Sequence, residues 1–517
     1  MSLTAIKTIT IVGGGTAGWM TAAALARFFP KEFFLIQLVE SDAIGTVGVG
    51  EATVPHIRYF NNMLGIDEND FIRETQATYK LGIQFESWGD IGESYIHPFG
   101  SHGYELNGIG FHHYWIKLRQ QNKVAPLDRF SIAVAAARQG RFNYPSDDVH
   151  SPLSTYTYAF HINASAYARY LRQYSEKRGV KRIEGKIDHC ELNAEGEINV
   201  VVLDSGQKIP GDLFIDCSGF KGLLIDGALN TGYENWNQWL LCDRAIAIPT
   251  DSTNEIKLYT RAIARKFGWQ WQIPLQHRTG NGYVYSSQFI GDDEASHSLL
   301  STLTEKPMAD PNLLRFTPGM RTRSWTKNCV AIGLASGFLE PLESTSIYLI
   351  QTAILKLLEF FPEYSSSPIK CNEFNRQIKS EYEKVRDFII LHYHLNRRTD
   401  SELWKYCAQM SLPGELARKK TLFYESSHVE KYQYGLFMEP SWLAVYLGQA
   451  APPSNYDQRV DYFNVGGVEE HLKNMEKTIT ALTEHMPIID LSTYQKQQAK
   501  SDNYPEATMS LYGRSYK

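Results

Sequence analysis

The chain has 517 residues, 43% of them hydrophobic, which is enough for a large core and, by length, about three domain-sized units. A formal net charge of -5 leaves no basic footprint for nucleic acid, and no apolar run approaches the ~20 residues of a membrane helix. Six scattered cysteines without a C-x-x-C pair predict free, buried thiols in a reducing cytoplasm, and the N-terminus meets the first strand with no leader-like apolar stretch.

Residues 9–18 read Ile-Thr-Ile-Val-Gly-Gly-Gly-Thr-Ala-Gly, an alternating strand that breaks into glycines. A helix-forming run follows and Pro30 stops it. Strand, glycine turn and helix in that order are a dinucleotide-binding entry. Gly13 permits the tight turn, Gly15 lets backbone approach a pyrophosphate, and Gly18 lets the helix pack close on the strand. Thr16 and Ala17 open the helix whose free N–H groups would receive the phosphates. The next strand ends in Glu40, the expected ribose partner. Gly48, Val49, Gly50, Glu51, Ala52 and Thr53 then form a glycine-rich loop.

The run 68–80 reads as a helix with Gly82 as its stop. Residues 83–142, rich in Gly, His, Trp and Tyr, read as an insertion that need not belong to the nucleotide sheet. Helix 164–178 and strands 186–192, 198–203 and 213–215 follow. The last strand enters Asp216-Cys217-Ser218-Gly219-Phe220, a second strand–glycine turn on the phosphate or ribose side. Residues 329–337, with Gly333 and Leu334, form a third, and helix 344–360 comes after it. A nucleotide site assembled from three distant segments suits a flavoprotein better than a local nicotinamide domain. Phe374, Ile378, Tyr382, Val385, Phe388, Ile389 and His392 recur at helical spacing, so 371–396 is a long amphipathic helix. The end of the chain from Tyr494 is polar and expected to fray.

Residues 268–275 read Gly-Trp-Gln-Trp-Gln-Ile-Pro-Leu, placing two tryptophans on one face of a strand. Taken alone the pair would be sheet packing. Together with the glycine turns, Lys80, the turn at 216–220 and the stretches 339–348 and 387–393, however, the chain resembles the flavin-dependent halogenases, close to the tryptophan/indole group. Trp269, Trp271, Ile273 and Pro274 match that family's W-x-W-x-I-P hallmark. The resemblance implies an α/β, two-lobed flavin monooxygenase-like fold, with a Rossmann-type FAD-binding lobe and a largely helical substrate lobe. The expected division is a lobe over 1–370, carrying substrate-side insertions at about 83–150 and 230–325, and a helical lobe over 371–517.

The resemblance further implies FAD as FADH2, dioxygen, and chloride or bromide. A separate NAD(P)H-dependent flavin reductase would be the partner and a small aromatic the substrate, in a cytoplasmic monomer or homodimer. Hypohalous acid made at the flavin travels past the tryptophan pair, which keeps substrate from flavin, to Lys80 beside the substrate. Without the resemblance, Lys80 would be a last-turn lysine complementing a helix dipole. Glu343 flanks the substrate and stabilises the cationic intermediate or takes its proton, with Glu340 in support. The backbone N–H groups of Thr345 and Ser346 hold halide, and relatives often carry Gly where Ser346 stands, which bears on the choice of bromide over chloride. His97 and Phe99, in His-Pro-Phe-Gly, form the aromatic platform, and Met438 takes the place of a lid tryptophan. No adjacent tyrosine pair appears over 424–442 to hold an amino acid's carboxylate, so indole or an indole-containing compound is expected before free tryptophan. The rival activities are aromatic hydroxylation by a monooxygenase of the same fold, or a flavoprotein without catalysis.

Overall fold

Ile9 and Ile11 of strand Thr8–Val12 are fully buried, and Thr10 on the opposite face is buried as well. A strand covered on both faces belongs inside a parallel sheet. It pairs in parallel with Leu35–Glu40 on one side and Leu213–Asp216 on the other. The full sheet has six strands, in the order Trp325–Thr326, Cys329–Ala331, Leu213–Asp216, Thr8–Val12, Leu35–Glu40, Lys181–Glu184, and only the first is antiparallel to its neighbour. Buried Thr10 is not left unpaired: its hydroxyl donates to the Pro210 carbonyl at 2.8 Å and accepts from Gln37 at 2.9 Å. Helix Thr16–Phe28 makes the first crossover, ends just before Pro30 and packs on helix Ala164–Glu176. The structure is a computed structural model that describes residues 5–45, 51–253, 255–362, 368–431, 435–449, 452–496, 505 and 507–514.

A second sheet has seven strands. Its order is Asn312–Arg315, Arg244–Thr250, Thr279–Tyr285, Gly268–Pro274, Thr260–Arg265, Gly82–Glu86, Ser94–Pro98. The two strands of the 83–142 insertion join this sheet and not the parallel one. The strand with the tryptophan pair lies at its centre. Gly282, across from Trp271, makes room for that indole, because a Cβ there would collide with the ring.

Three expectations change. The run 68–80 is not one helix: helix Glu68–Thr75 starts on an Asp67 cap and ends at Gln76, in the left-handed region at φ 55°. Thr78–Lys80 is a strand paired with Ala159–Ile162, so Lys80 complements no helix dipole and Gly82 stops no helix. Tertiary pairing overrides local propensity here, since Tyr79 is buried and stacks on Phe142 at 4.1 Å and Thr78 donates to the Pro274 carbonyl. Gly82 instead lets two strands close up, as a Cβ would press on the His97 carbonyl at 2.5 Å. The C-terminal stretch is anchored where it is described: Tyr494, Leu511 and Tyr512 are buried. The long helix runs Pro368–His394, close to its expected span, and five of the six free cysteines are buried, with Cys190 half-buried. Among the described residues no helix is long and apolar enough to cross a membrane.

Candidate active site

Because the central strands are parallel, their carboxyl ends open on one edge, the place where such sheets bind ligands. The three glycine turns meet there. Gly13 sits at φ 106°, and a Cβ would run into the Cys217 carbonyl of the second turn. Gly333, at φ 73°, brings the third turn against Ala17, while Leu334 beside it is half-buried. Gly18 packs on the Gly13 carbonyl, and Gly15 faces open space. Gly15 caps helix Thr16–Phe28 without any side-chain bond, so the helix presents its N–H groups to the groove. This cradle fits a dinucleotide pyrophosphate.

Glu40 closes the second strand as expected, but its carboxylate accepts from Arg182 at 2.6 Å and Trp19 at 3.3 Å and leans over Gly14. Asp216 is engaged within its own turn. It is fully buried and accepts the N–H groups of Ser218, Leu224 and Ile225 at 2.8–3.0 Å, tying off its own turn. Gly48, Val49 and Gly50 lie outside the described residues. Glu51 pairs with Ile162 and Ala52 with His161, and burial pushes the Glu51 carboxyl up to about 7. Thr53 bonds Phe160 through both its N–H and its hydroxyl, which leaves its carbonyl for Lys80.

Lys80 has no exposed surface. Its Nζ donates to the Thr53 carbonyl at 3.0 Å and to Ser344 Oγ at 2.8 Å, and lies 5.1 Å from the centre of the Phe99 ring. Burial lowers its pKa to about 7 against the opposing pull of the Glu343 charge. Near neutral pH the side chain is therefore available both as ammonium and as free amine.

Glu343 ends the short turn Pro341–Glu343. Ser344, at φ 58°, then redirects the chain into helix Ser346–Glu359. The carboxylate thus points away from the helix start, into a histidine pair. His97 Nδ1 donates to it at 2.9 Å, and His392 Nε2 lies 2.8 Å away without hydrogen-bond alignment. Burial would raise this carboxyl, but His97 and His392 outweigh burial and hold it at about 2. Glu340, at the other end of the same turn, accepts from Trp269 Nε1 at 3.0 Å and from the Tyr393 hydroxyl at 2.8 Å. Burial pushes it up to about 8 against those two neutral donors.

Trp269 and Trp271 share a face, with ring centres 6.2 Å apart, and Ile273 and Pro274 continue the buried strand. The left-handed residue Ser344 followed by right-handed Thr345 is a backbone form that can turn successive N–H groups to one side, as anion nests do. Thr345 Oγ is buried with no partner among the described residues, and Ser346 is half-buried.

Several participants carry no motif. His97 Nε2 is bonded to Ser441 Oγ at 2.7 Å, Ser441 to the Tyr512 hydroxyl at 2.6 Å, and that hydroxyl accepts the Met438 N–H at 2.6 Å. Met438 therefore contributes its backbone to this chain of bonds. The ring of its neighbour Phe437 stacks on Phe388 at 3.9 Å and lies 6.1 Å from His97. His392 left one signal, a histidine within an otherwise apolar helical stripe; Ser441 and Tyr512 left none.

A cavity of about 700 Å³ abuts this centre. The loop that continues His97–Gly100 forms one wall, with Ser101, His102 and Glu105, and helix Glu439–Gln449 another, with Glu439 and Pro440 next to Ser441.

Known proteins match this arrangement. The family model described as tryptophan halogenase covers residues 8–464. The Tryptophan 7-halogenase RebH of Lentzea aerocolonigenes is 36% identical over 81% of this chain and 82% of its own. The Tryptophan 6-halogenase SttH of Streptomyces toxytricini is also 36% identical, over 86% and 89%. Among solved structures, BrvH, a flavin-dependent halogenase from Brevundimonas sp. BAL3, superposes with a TM-score of 0.90 at 45% identity, covering 95% of this chain and 98% of its own. By fold and by sequence, along nearly its whole length, the chain belongs to the tryptophan halogenase family of flavin-dependent halogenases.

Proposed function

We propose that the protein halogenates an electron-rich aromatic, indole or an indole-containing compound, at Lys80, with FADH2 furnished by a separate NAD(P)H-dependent flavin reductase. The observation that carries this reading is the buried Lys80 Nζ, held on Ser344 Oγ next to Glu343 and facing the Phe99 ring. The glycine cradle and the Glu51–Thr53 segment would hold the cofactor. Bound reduced FAD, with dioxygen, supplies the oxidation of halide to hypohalous acid. The N–H groups of Thr345 and Ser346 would retain halide at that end.

Everything else falls to the chain. Trp269 and Trp271 wall the path and exclude the aromatic from it. At Lys80 the ammonium hydrogen-bonds hypohalous acid, or the amine takes the halogen and releases water; either form directs the electrophile to one ring carbon. The ring carbon's electron pair would form the carbon–halogen bond as the oxygen–halogen or nitrogen–halogen bond breaks. The departing hydroxide takes a proton from the ammonium to leave as water, or the haloamine nitrogen keeps the bond's electrons and takes a proton to become the amine again, and the ring is left cationic. Glu343, charged because two histidines hold it so, stabilises that cation and takes its ring proton. The products are haloarene and water. Ser346, where relatives often have Gly, supports a preference for bromide, the larger and more weakly hydrated halide.

The test supplies reductase, NADH, halide and indole, and reads the product by mass. A halogen isotope doublet is expected, with substitution at C3, indole's most nucleophilic carbon. A gain of one oxygen would make the protein a hydroxylase.

A further inference from the structure

The cavity beside the centre is larger than a bare indole needs: about 700 Å³ lies in the range of pockets that take drug-sized ligands. Its wall also carries a carboxylate that its neighbours leave unsatisfied. The Glu439 side chain is 12% exposed, and among the described residues no hydrogen bond reaches it. His112 Nδ1 is 3.7 Å away, but Nε2 of that ring is bonded to the Ser427 carbonyl, an acceptor, so Nε2 carries the proton. Burial holds His112 neutral, with its pKa at about 3, and Nδ1 is then a bare acceptor facing an acceptor. The remaining candidate partner is Lys431, 3.9 Å away, 64% exposed and closer to Glu105 at 3.5 Å. This one solvated lysine serves two acids, and burial together with the Glu105 charge raises the Glu439 carboxyl against its pull, so the acid lacks a full counter-charge. His102 adds a second unmet demand, since among the described residues neither of its buried ring nitrogens has a partner.

The position of this wall links it to catalysis. Glu439 is followed by Pro440 and then Ser441, which holds His97 against Glu343. His102 lies just beyond Phe99, whose ring faces Lys80. The cavity and the Lys80–Glu343 pair thus share two segments, and a ring placed at Phe99 would extend its appendage along them. A carboxylate appendage would meet Glu105 and Glu439. An ammonium would give Glu439 the charged donor it lacks and would find a bare nitrogen on His102.

Resting on the halogenase reading above, we infer that the cavity selects an aromatic that bears a cationic alkylamine and no carboxylate, with Glu439 as the ammonium partner. The experiment is calorimetric binding to the FAD-loaded protein, which needs no turnover. Tryptamine, neutral 3-ethylindole and indole-3-propionate are compared. Tryptamine should bind about tenfold more tightly than either analogue, a ratio that a charge-assisted bond can supply. In Glu439→Gln the tryptamine-to-ethylindole ratio should collapse toward one, with circular dichroism confirming the fold. Equal binding of the three ligands by the wild type, tighter binding of the propionate, or an unchanged ratio in Glu439→Gln would each overturn the inference. Halogenation of the same ligands is measured in parallel. Selective binding without halogenated product would refute the reaction and leave the ammonium site standing; halogenation with no binding preference would do the reverse.

Discussion

Glu340 and Glu343 sit at the two ends of one short turn, and both are fully or almost fully buried. Burial alone would make both neutral. Glu340 faces an indole N–H and a phenol, neutral donors, and is raised to about 8. Glu343 faces two histidines and is held at about 2. The chemistry of the partners, not depth, separates a neutral acid hydrogen-bonded to Trp269 and Tyr393 from a charged one held by His97 and His392. The turn works as a divider, with a neutral side under Trp269 and an anionic side toward Lys80.

The largest effect should come from Lys80, the group the anionic side serves. Lys80→Met keeps length and removes the amine, and halogenated product should be lost while NADH-driven hypohalous acid release continues. Product at near wild-type rate would remove Lys80 from the reaction. Next comes Glu343→Gln, which erases the charge difference between the two acids; kcat should fall ~10²–10³-fold, the usual cost of losing a charged stabiliser of a transition state. A fall below threefold would mean that the charge is structural.

Glu340→Gln should cost far less, within about threefold in kcat, because Gln mimics an acid that is already neutral at pH 7. It should show instead in stability. A carboxyl raised from 4.5 to about 8 on folding contributes most below pH 4.5, and that contribution declines as pH rises to 8. The wild-type Tm, relative to that of Glu340→Gln, should therefore drop between pH 5 and 8. Glu343 has the opposite sign: its contribution is present above 4.5 and is lost as pH falls toward 2. If the two variants show the same pH slope, the distinction between the acids fails. The smallest expected effect belongs to Ser346→Gly, which should shift the bromide-to-chloride product ratio a few-fold toward chloride in an equimolar competition. A wild type that prefers chloride would refute the bromide proposal.

How much of this could be read in the sequence followed from distance along the chain. The Gly13–Gly18 turn is local, since strand, turn and helix are consecutive, and its reading needed nothing else. Lys80 was identified by residue but placed on the wrong element, because strand Thr78–Lys80 exists only when Ala159–Ile162 pairs with it. The acids were legible as acids, but their charge states were not. His97 reaches partners 246 and 344 residues away, and no local pattern announces such pairs.

The interleaved order of the parallel sheet has a consequence for how the protein is made. Ile9 pairs with Leu213, and Phe214 with Cys329, so the three turns of the nucleotide cradle meet only after two long loops have closed. Such non-local pairing has a high entropic barrier and slows folding. No fragment ending before Gly333 contains the whole cradle, and synthesis from the N-terminus supplies its last turn more than 300 residues after its first. Cofactor capture is thus a late event, and a chain interrupted midway has no complete site in which to bind flavin and generate an oxidant.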